Sequence, residues 1–240
     1  MENALFIGLS KQVALRTNMD IVANNVANMN TTGFRGQNMM FREIVEEPRG
    51  QENDLSYVVD FGQYDNLDAG PIQTTGNQLD VALTGPGFMG VDNNGTVMYT
   101  RAGDFKVNAE GLLVNPSGMP IASQGGGEIV IPEGTTEIKI TEDGDIIAND
   151  QQVGRLLLAE FENPQNLRPV GDVLYTTDDA PLPAVNTIVK QGAIEGSNVN
   201  SIVEVTNMIN VLRDYQSIQS FISDEDERQR TAVRELLKTQ

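Results

Sequence analysis

Residues 15–33 read Leu15-Arg16-Thr17-Asn18-Met19-Asp20-Ile21-Val22-Ala23-Asn24-Asn25-Val26-Ala27-Asn28-Met29-Asn30-Thr31-Thr32-Gly33. Leu15, Met19, Val22, Val26 and Met29 recur at spacings of four, three, four and three, a helical stripe close to the 3.5-residue seam of a coiled coil. Residues 3–29 hold neither proline nor a turn cluster, and Phe6, Leu9 and Val13 make a second short apolar run upstream. Asn30 to Gly33 then supply turn chemistry, with Gly33 able to take positive φ. The pattern predicts a long N-terminal helix that stops before Gly33.

The far end of the chain repeats the pattern. Asn198, Val199, Asn200 and Ser201 precede Val205, Met208, Leu212, Tyr215, Gln219 and Ile222, which follow one another at threes and fours. Ile202, Ile209 and Ile218 widen the apolar face, and Ser201 with Glu204 fits a capping box. A helix over 200–222 would be roughly 33 Å long at about 1.5 Å per residue. The acidic run Asp224 to Glu227 breaks the stripe, which Val233, Leu236 and Leu237 resume.

Between these ends the period falls to two. Leu79–Leu83, Phe88–Asp92, Thr96–Arg101, Phe105–Asn108 and Leu112–Asn115 read as short strands. Their turns are Asn93-Asn94-Gly95, Ala109-Glu110-Gly111 and Pro116-Ser117-Gly118. Ile129–Ile131, Glu137–Ile140, Asp145–Ala148 and Val153–Phe161 are further strands by the same pattern. Strands this short and closely spaced predict an antiparallel sandwich or barrel-like domain. Residues 35–71 lack a steady period and read as extended or loosely structured. The predicted fold class is α+β, with long terminal helices paired as a coiled-coil-like unit around a central, mainly antiparallel β domain. The predicted divisions are an N-terminal helix over 1–34, a connecting segment over 35–71, the β domain over 72–190 and a C-terminal helix over 191–240.

Composition narrows the chemistry. The 240 residues carry 34 acidic and 16 basic side chains, a formal charge of −18, and no Cys, His or Trp. Without Cys or His there is no thiolate nucleophile, no imidazole base and no ordinary zinc or copper site. No disulfide framework is possible either, so the fold must hold by packing in any redox compartment. The charge opposes phosphate backbones, so no nucleic-acid partner is expected. Met1–Lys11 carries Glu2 where a signal peptide would be basic, and its apolar run Ala4–Leu9 is short for one. No stretch approaches the roughly 20 apolar residues of a membrane helix. The reading is of a soluble chain with no direct membrane insertion. Residues 1–45 carry a net +1, residues 46–190 carry −16 and residues 191–240 carry −3. Nearly neutral ends can lie against copies of themselves at little electrostatic cost, whereas the acidic centre repels its like unless solvated.

The tempting chemical motifs fail on context. Gly85-Pro86-Gly87-Phe88-Met89-Gly90 matches a dinucleotide fingerprint in letters, but a hairpin pattern follows instead of the helix whose N-terminus would face a pyrophosphate. Glu142-Asp143-Gly144-Asp145 resembles part of a calcium loop but lacks its full ligand spacing. Neither catalytic residue, cofactor nor metal is expected. Asn24, Asn25 and Asn28 are more informative, because asparagine is a mediocre helix former. Their amides could cross-link packed helices and fix register without charge. Equally, Asn28 and Asn30 could satisfy the last carbonyls of a terminating helix.

The run from Met19 to Gly33, continued by Phe34-Arg35, resembles the N-terminal signature of bacterial flagellar rod and hook proteins. The resemblance continues at Leu79–Phe88, at Tyr99-Thr100-Arg101-Ala102-Gly103-Asp104-Phe105 and at Gly111–Val114. It closes with Glu195-Gly196-Ser197-Asn198-Val199-Asn200, then Val203, Glu204, Met208, Ile209, Arg213 and Tyr215. The opening Met1–Phe6 and the modest length resemble a proximal rod subunit more than a distal rod or hook protein. The resemblance implies a non-catalytic axial subunit that transmits torque, exported unfolded by the flagellar type III apparatus and assembled in the periplasm. Its implied partners are other rod proteins and copies of itself in a helical tube, with the terminal helices inside and the β domain outside. The implied assembly interface is Leu15, Met19, Val22, Asn24, Asn25, Val26, Asn28, Thr31, Gly33 and Phe34 at one end. At the other it is Asn198, Asn200, Glu204, Val205, Met208, Leu212, Arg213, Tyr215 and Ile222. The rivals are a distal rod protein and, from another class, an acidic hydrolase using two carboxylates or a binding module with oligomerising helical ends.

Overall fold

The computed structural model describes residues 2–46, 55–171 and 173–238. The chain divides into two compact units. One gathers 1–27, 37–65 and 200–240, and the other gathers 28–36 and 66–199. These divisions differ from the sequence reading, because 37–65 joins the helices and 28–36 joins the β domain.

The helical unit contains α1 (Glu2–Ala27), α2 (Ser201–Lys238) and a hairpin of β1 (Gln37–Glu46) with β2 (Leu55–Asp65). The two helices pack together. Gly8 permits a close approach, since a Cβ there would lie 3.2 Å from Cγ1 of Ile222. Ala14, Leu15, Ile21 and Val22 of α1 are buried. On α2 the covered positions are Glu204, Met208, Val211, Tyr215, Ile218, Ile222, Glu225 and Gln229, alternating by four and three. Met208, Tyr215 and Ile222 belong to the predicted stripe. Val205 and Leu212 do not share its burial: they are 43% and 45% exposed, and Gln219 is exposed too. Several four-three lines fit a helix that is apolar on two sides, and only the packed partner selects one.

Two local expectations on α2 are corrected. Its N-cap is Asn200, not Ser201: Asn200 Oδ1 accepts from the amides of Ile202 (3.1 Å) and Val203 (3.3 Å). The helix also runs on past Ile222, the end of the span read from sequence, through the acidic run, where Arg228 pairs with Glu225 at 2.5 Å and Arg230 with Asp226 at 3.0 Å, one turn along. With 38 residues the helix spans roughly 57 Å at about 1.5 Å per residue. Among the described residues no helix is long and apolar enough to cross a membrane.

Residues 35–71, read as loosely structured, contain the unit's two long strands. They pair antiparallel from Gln37 opposite Asp65 to Glu46 opposite Leu55. The register slips where Met40 faces Gly62 and Phe41 faces Asp60, leaving residue 61 over. A bulge of this kind reverses the phase of alternation partway along a strand, so the period of two is hidden in the sequence.

All strand pairings in the β unit are antiparallel. Its largest sheet runs in the order Arg168–Gly171, Leu174–Thr176, Thr96–Thr100, Phe88–Asn93, Leu158–Glu160 and Leu182–Pro183. A three-stranded sheet places Asp145–Ala148 between Gln151–Arg155 and Ile138–Ile140. Val81–Thr84 pairs with Ile188–Gln191, Ile72–Thr74 with Ala193–Glu195, and Lys106–Val107 with Leu113–Val114. The core between them holds Val81, Leu83, Met89, Val91, Phe105, Ile121, Ile146 and Leu156. A second cluster stacks Phe88, Tyr99, Phe161 and Tyr175, with edge-to-face ring centroids 4.8 to 6.0 Å apart.

The Asn94-Gly95 turn has φ of 53° and 87°, the two left-handed residues of a tight hairpin. The predicted strand Val153–Phe161 is two strands in different sheets, turned at the buried Leu156. Ile129–Ile131 makes a single bridge, Leu112 to Val130, while Ile129 and Ile131 are buried. Its alternation records burial without a ladder. The Gly85–Gly90 run opens a strand, and a Cβ on Gly85 (φ 120°) would lie 2.2 Å from the carbonyl oxygen of Asn186. That glycine serves close backbone approach.

Candidate functional site

In the helical unit the asparagines separate into three roles. Asn25 is 3% exposed. Its Oδ1 accepts from the Gln37 amide (2.9 Å), and its Nδ2 donates to the Gln37 carbonyl (2.8 Å) and to Glu204 Oε2 (3.4 Å). One side-chain amide thus stands in for a strand partner, holding β1 to α1 while touching the first turn of α2. Asn24 is exposed and reaches the Gln37 side chain at 3.4 Å. Asn28 lies beyond the helix end. Its carbonyl accepts from the Thr31 amide (3.1 Å) and its Oδ1 from the Thr31 hydroxyl (3.1 Å), so it shapes the terminating turn.

Gln37 also donates from Nε2 to Asp65 Oδ1 (3.1 Å). Burial pushes the Asp65 carboxyl up, and the Gln37 hydrogen bond opposes that shift. A cleft of about 180 Å³ opens beside Asn25. It is lined by the amides of Asn18, Asn38, Asn207 and Asn210 and by the carboxylates of Glu204 and Asp214. The amides exchange hydrogen bonds without moving protons, and the Glu204 carboxylate accepts from Asn25 and Asn207 (3.4 Å each), an arrangement that suits register.

The outer faces of both helices carry uncovered apolar side chains. Phe6, Leu9 and Val13 of α1 are 59%, 50% and 64% exposed. On α2, Ile202, Val205, Ile209 and Leu212 form a second line at spacings of three, four and three, from 43% to 78% exposed. This strip lies about 100° around α2 from its packed line.

In the β unit, three of the family-like blocks meet at one buried ion cluster. Glu195, 1% exposed, receives Arg35 at 2.5 Å and Arg101 at 3.2 Å. Its Oε1 also accepts from the Gly70 amide (2.9 Å), and its carbonyl accepts from the Gly33 amide (2.7 Å). Arg35 donates to the carbonyl of Asp68, and Arg101 donates to that of Gly85 at 2.6 Å. The Arg101 guanidinium lies 5.0 Å over the Phe88 ring. Burial lowers the pKa of Arg101, the Glu195 charge opposes this, and the nearby Arg35 charge adds to the lowering. Gly33 has φ of 67°, and a Cβ there would lie 2.4 Å from the Ala102 amide nitrogen. Asn198 closes the same region. Its Oδ1 accepts from the Gly36 amide (2.7 Å), and its Nδ2 donates to the carbonyls of Asn66 (2.7 Å) and Asp68 (2.9 Å).

The sequence-derived surface residues therefore spread over several settings. Leu15, Val22 and Asn25 are buried in the helical unit, while Met19, Val26, Glu204, Met208, Tyr215 and Ile222 are half-buried there. Asn24, Asn200, Val205, Leu212 and Arg213 are exposed. Asn28, Thr31, Gly33, Phe34 and Asn198 belong to the β unit. The cluster of Arg35, Arg101 and Glu195 is absent from the sequence reading, because pairing across 160 residues leaves no local trace. Ile21 and Val211 are hidden there by the competing stripe, whereas Ile218 is part of the widened apolar face of that reading. Among the described residues no group of three or more acidic side chains could hold a metal ion. The carboxyls pushed up by burial, Asp65 and Asp104, belong to different units.

Three family descriptions match the chain: "Flagella basal body rod protein" over residues 7–35, "Flagellar hook protein FlgE/F/G D1 domain" over 82–148 and "Flagellar basal body rod FlgEFG protein C-terminal" over 190–235. The flagellar basal-body rod protein FlgF of Caulobacter vibrioides is 38% identical over 99% of both chains. FlgF of Rhizobium meliloti is 30% identical over 94% of each. The rod protein FlgG of Agrobacterium fabrum is 32% identical over 93% of this chain and 95% of its own. With relatives this similar along the whole length, the chain belongs to the flagellar basal-body rod protein family.

Proposed function

We propose that this chain is an axial subunit of the proximal rod of the bacterial flagellum, assembling with copies of itself and other rod proteins into a helical tube that transmits torque. Its relatives are structural rod proteins of the basal body, and the chain is a structural subunit rather than an enzyme. The observation that carries the assembly reading is the uncovered apolar line Ile202, Val205, Ile209, Leu212, about 100° around α2 from its packed line. Two unlike patches that meet repeatedly without closing generate a tube. The four-three burial along α2 supports pairing of α1 and α2 as a coiled-coil-like unit. The absence of Cys suits export of an unfolded chain through the type III apparatus to the periplasm, since no disulfide has to be opened.

The test is Ile209→Asp in a strain lacking the native chain. The side chain is 45% exposed in the single chain, so the thermal midpoint of the purified protein should not move measurably. Basal bodies and swimming should be lost, because a buried unpaired carboxylate would repeat at every copy. Normal swimming would remove this face from the assembly. Similarity to FlgG at 32% identity favours a distal-rod position as the second reading. Electron microscopy of basal bodies carrying a tagged chain separates the two by the tag's position along the rod.

A further inference from the structure

In the β unit a cavity of about 300 Å³ is walled by Thr31, Thr100, Ala102, Pro116 and Val173, with Asp104 bordering it. Two anomalies meet there. One oxygen of Asp104, Oδ1, is shielded from solvent and has no hydrogen-bond partner. Its sequence-distant neighbour Asp80, bridged to it backbone to backbone, is fully served instead, by the Thr75 hydroxyl (2.6 Å) and the Asn77 amide (2.8 Å). Among the described residues no lysine or arginine comes within 4.0 Å of Asp104. Burial pushes the Asp104 carboxyl up, a hydrogen bond from its own backbone opposes this, Asp80 adds to the shift, and the Lys106 charge opposes it. The second anomaly is Val173, a β-branched residue with φ of 56° in the tight turn that links the paired Gly171 and Leu174. The Val173 carbonyl is held by the Thr100 hydroxyl (2.9 Å), which in turn accepts from the Ala102 amide (3.0 Å), so the wall is braced.

The cavity's chemistry selects its occupant. At about 300 Å³ it stands at the lower edge of small-molecule pockets. A single carboxylate does not make a metal site, and no metal-binding group of acids occurs among the described residues. Ala102, Pro116, Val173 and the threonine methyls offer aliphatic wall, and Asp104 offers an under-used charge. An aliphatic stem with a cationic head matches both features.

We propose that this cavity receives a lysine or arginine side chain of a neighbouring rod subunit, whose head group donates to the Asp104 carboxylate. The proposal rests on the reading of the chain as a rod subunit and names one chemical contact of that assembly. The test is Asp104→Asn, nearly isosteric and uncharged. In the purified full-length chain it should leave the thermal midpoint at or above the wild-type value, because no internal pair is lost. In a strain lacking the native chain, a wild-type copy should restore swimming, which checks the rod reading itself. The Asp104→Asn copy should yield about tenfold fewer intact basal bodies or worse, as expected for losing a charge-assisted hydrogen bond. Asp104→Glu should recover part of the yield. Wild-type numbers of basal bodies with Asp104→Asn would overturn the proposal. So would a lowered midpoint in the isolated chain, which would assign the carboxylate to its own fold through Lys106. Failure of the wild-type copy would remove the rod reading, and this inference with it.

Discussion

Replacing Glu195 by glutamine takes one charge and almost no volume from the cluster that holds Arg35 and Arg101. Both guanidiniums stay within 5% of full burial, and nothing else in the cluster is anionic. The introduced side-chain amide could still accept from the Gly70 amide, so the change isolates charge from shape. Removing one member of a buried ion pair costs about 3–5 kcal/mol, because the remaining charge keeps its desolvation penalty. Here two like charges remain, which places the cost at the upper end of that range. For a chain of this size about 2–4 °C of midpoint is lost per kcal/mol, so a fall of roughly 10 °C or more is expected. Arg35→Met and Arg101→Met should cost less, about 1–3 kcal/mol each. Each leaves a neutral pair: the Asp68 carbonyl loses Arg35 but keeps Asn198 Nδ2, whereas Arg101→Met takes the donor from the Gly85 carbonyl and from Glu195 Oε2. Urea titration of the full chain, followed by tyrosine fluorescence in the absence of tryptophan, reads the β unit through Tyr99 and Tyr175 once Tyr57, Tyr64 and Tyr215 of the helical unit are replaced by phenylalanine in every variant. If Glu195→Gln costs less than about 1 kcal/mol, or less than either arginine variant, charge compensation is not what holds this junction.

Asn25→Ala leaves the Gln37 amide and carbonyl without their partner. It should destabilise the start of β1 by about 1–3 kcal/mol, read as faster amide exchange at Gln37 with the β unit unaffected. Gly33→Ala meets both a positive φ and a backbone atom 2.4 Å from the new Cβ. It should cost more than the roughly 1–3 kcal/mol of backbone strain alone, and a thermal midpoint within 2 °C of wild type, judged against about 2–4 °C per kcal/mol, would contradict the reading. Asp104 also sets a pH signature. Its folded pKa is raised, so the stability linked to its proton is complete below the unfolded value of about 4 and is lost as pH rises through the folded value. Asp104→Asn should therefore match wild type in urea melts below about pH 4 and equal or exceed it at pH 7. The reverse order would mean that the carboxylate is paired.

Much of the candidate site is legible in the sequence because its signals are local. Asn94-Gly95 demands a tight turn through its own backbone preferences, and Asn30 to Gly33 demands a helix stop for the same reason. The block from Met19 to Arg35 carries the family resemblance within one short stretch. Its individual residues are harder to assign. Asn24 and Asn28 share a face by helical spacing, yet the buried amide is Asn25, because the side of α1 that receives β1 depends on where the hairpin lies. Phase is lost again along α2, where Val205 and Leu212 compete with Val211 and Ile218 for the seam.

By itself the sequence determined that two long helices bracket an antiparallel β region, that the first helix stops before Gly33, and that neither thiol nor imidazole chemistry is available. Each of these follows from the period of apolar residues, from turn preferences within a few positions, or from composition. The tertiary structure decided which helix faces are covered, that residues 37–65 form a hairpin with a bulge, and that the run 153–161 is divided between two sheets. It also decided that Arg35 and Arg101 meet on Glu195, and that one oxygen of Asp104 has no hydrogen-bond partner among the described residues. A pairing between positions far apart is selected by the free energy of the whole packed chain, in which the cost of desolvating a charge depends on what other segments bring to it. No window along the sequence contains that sum.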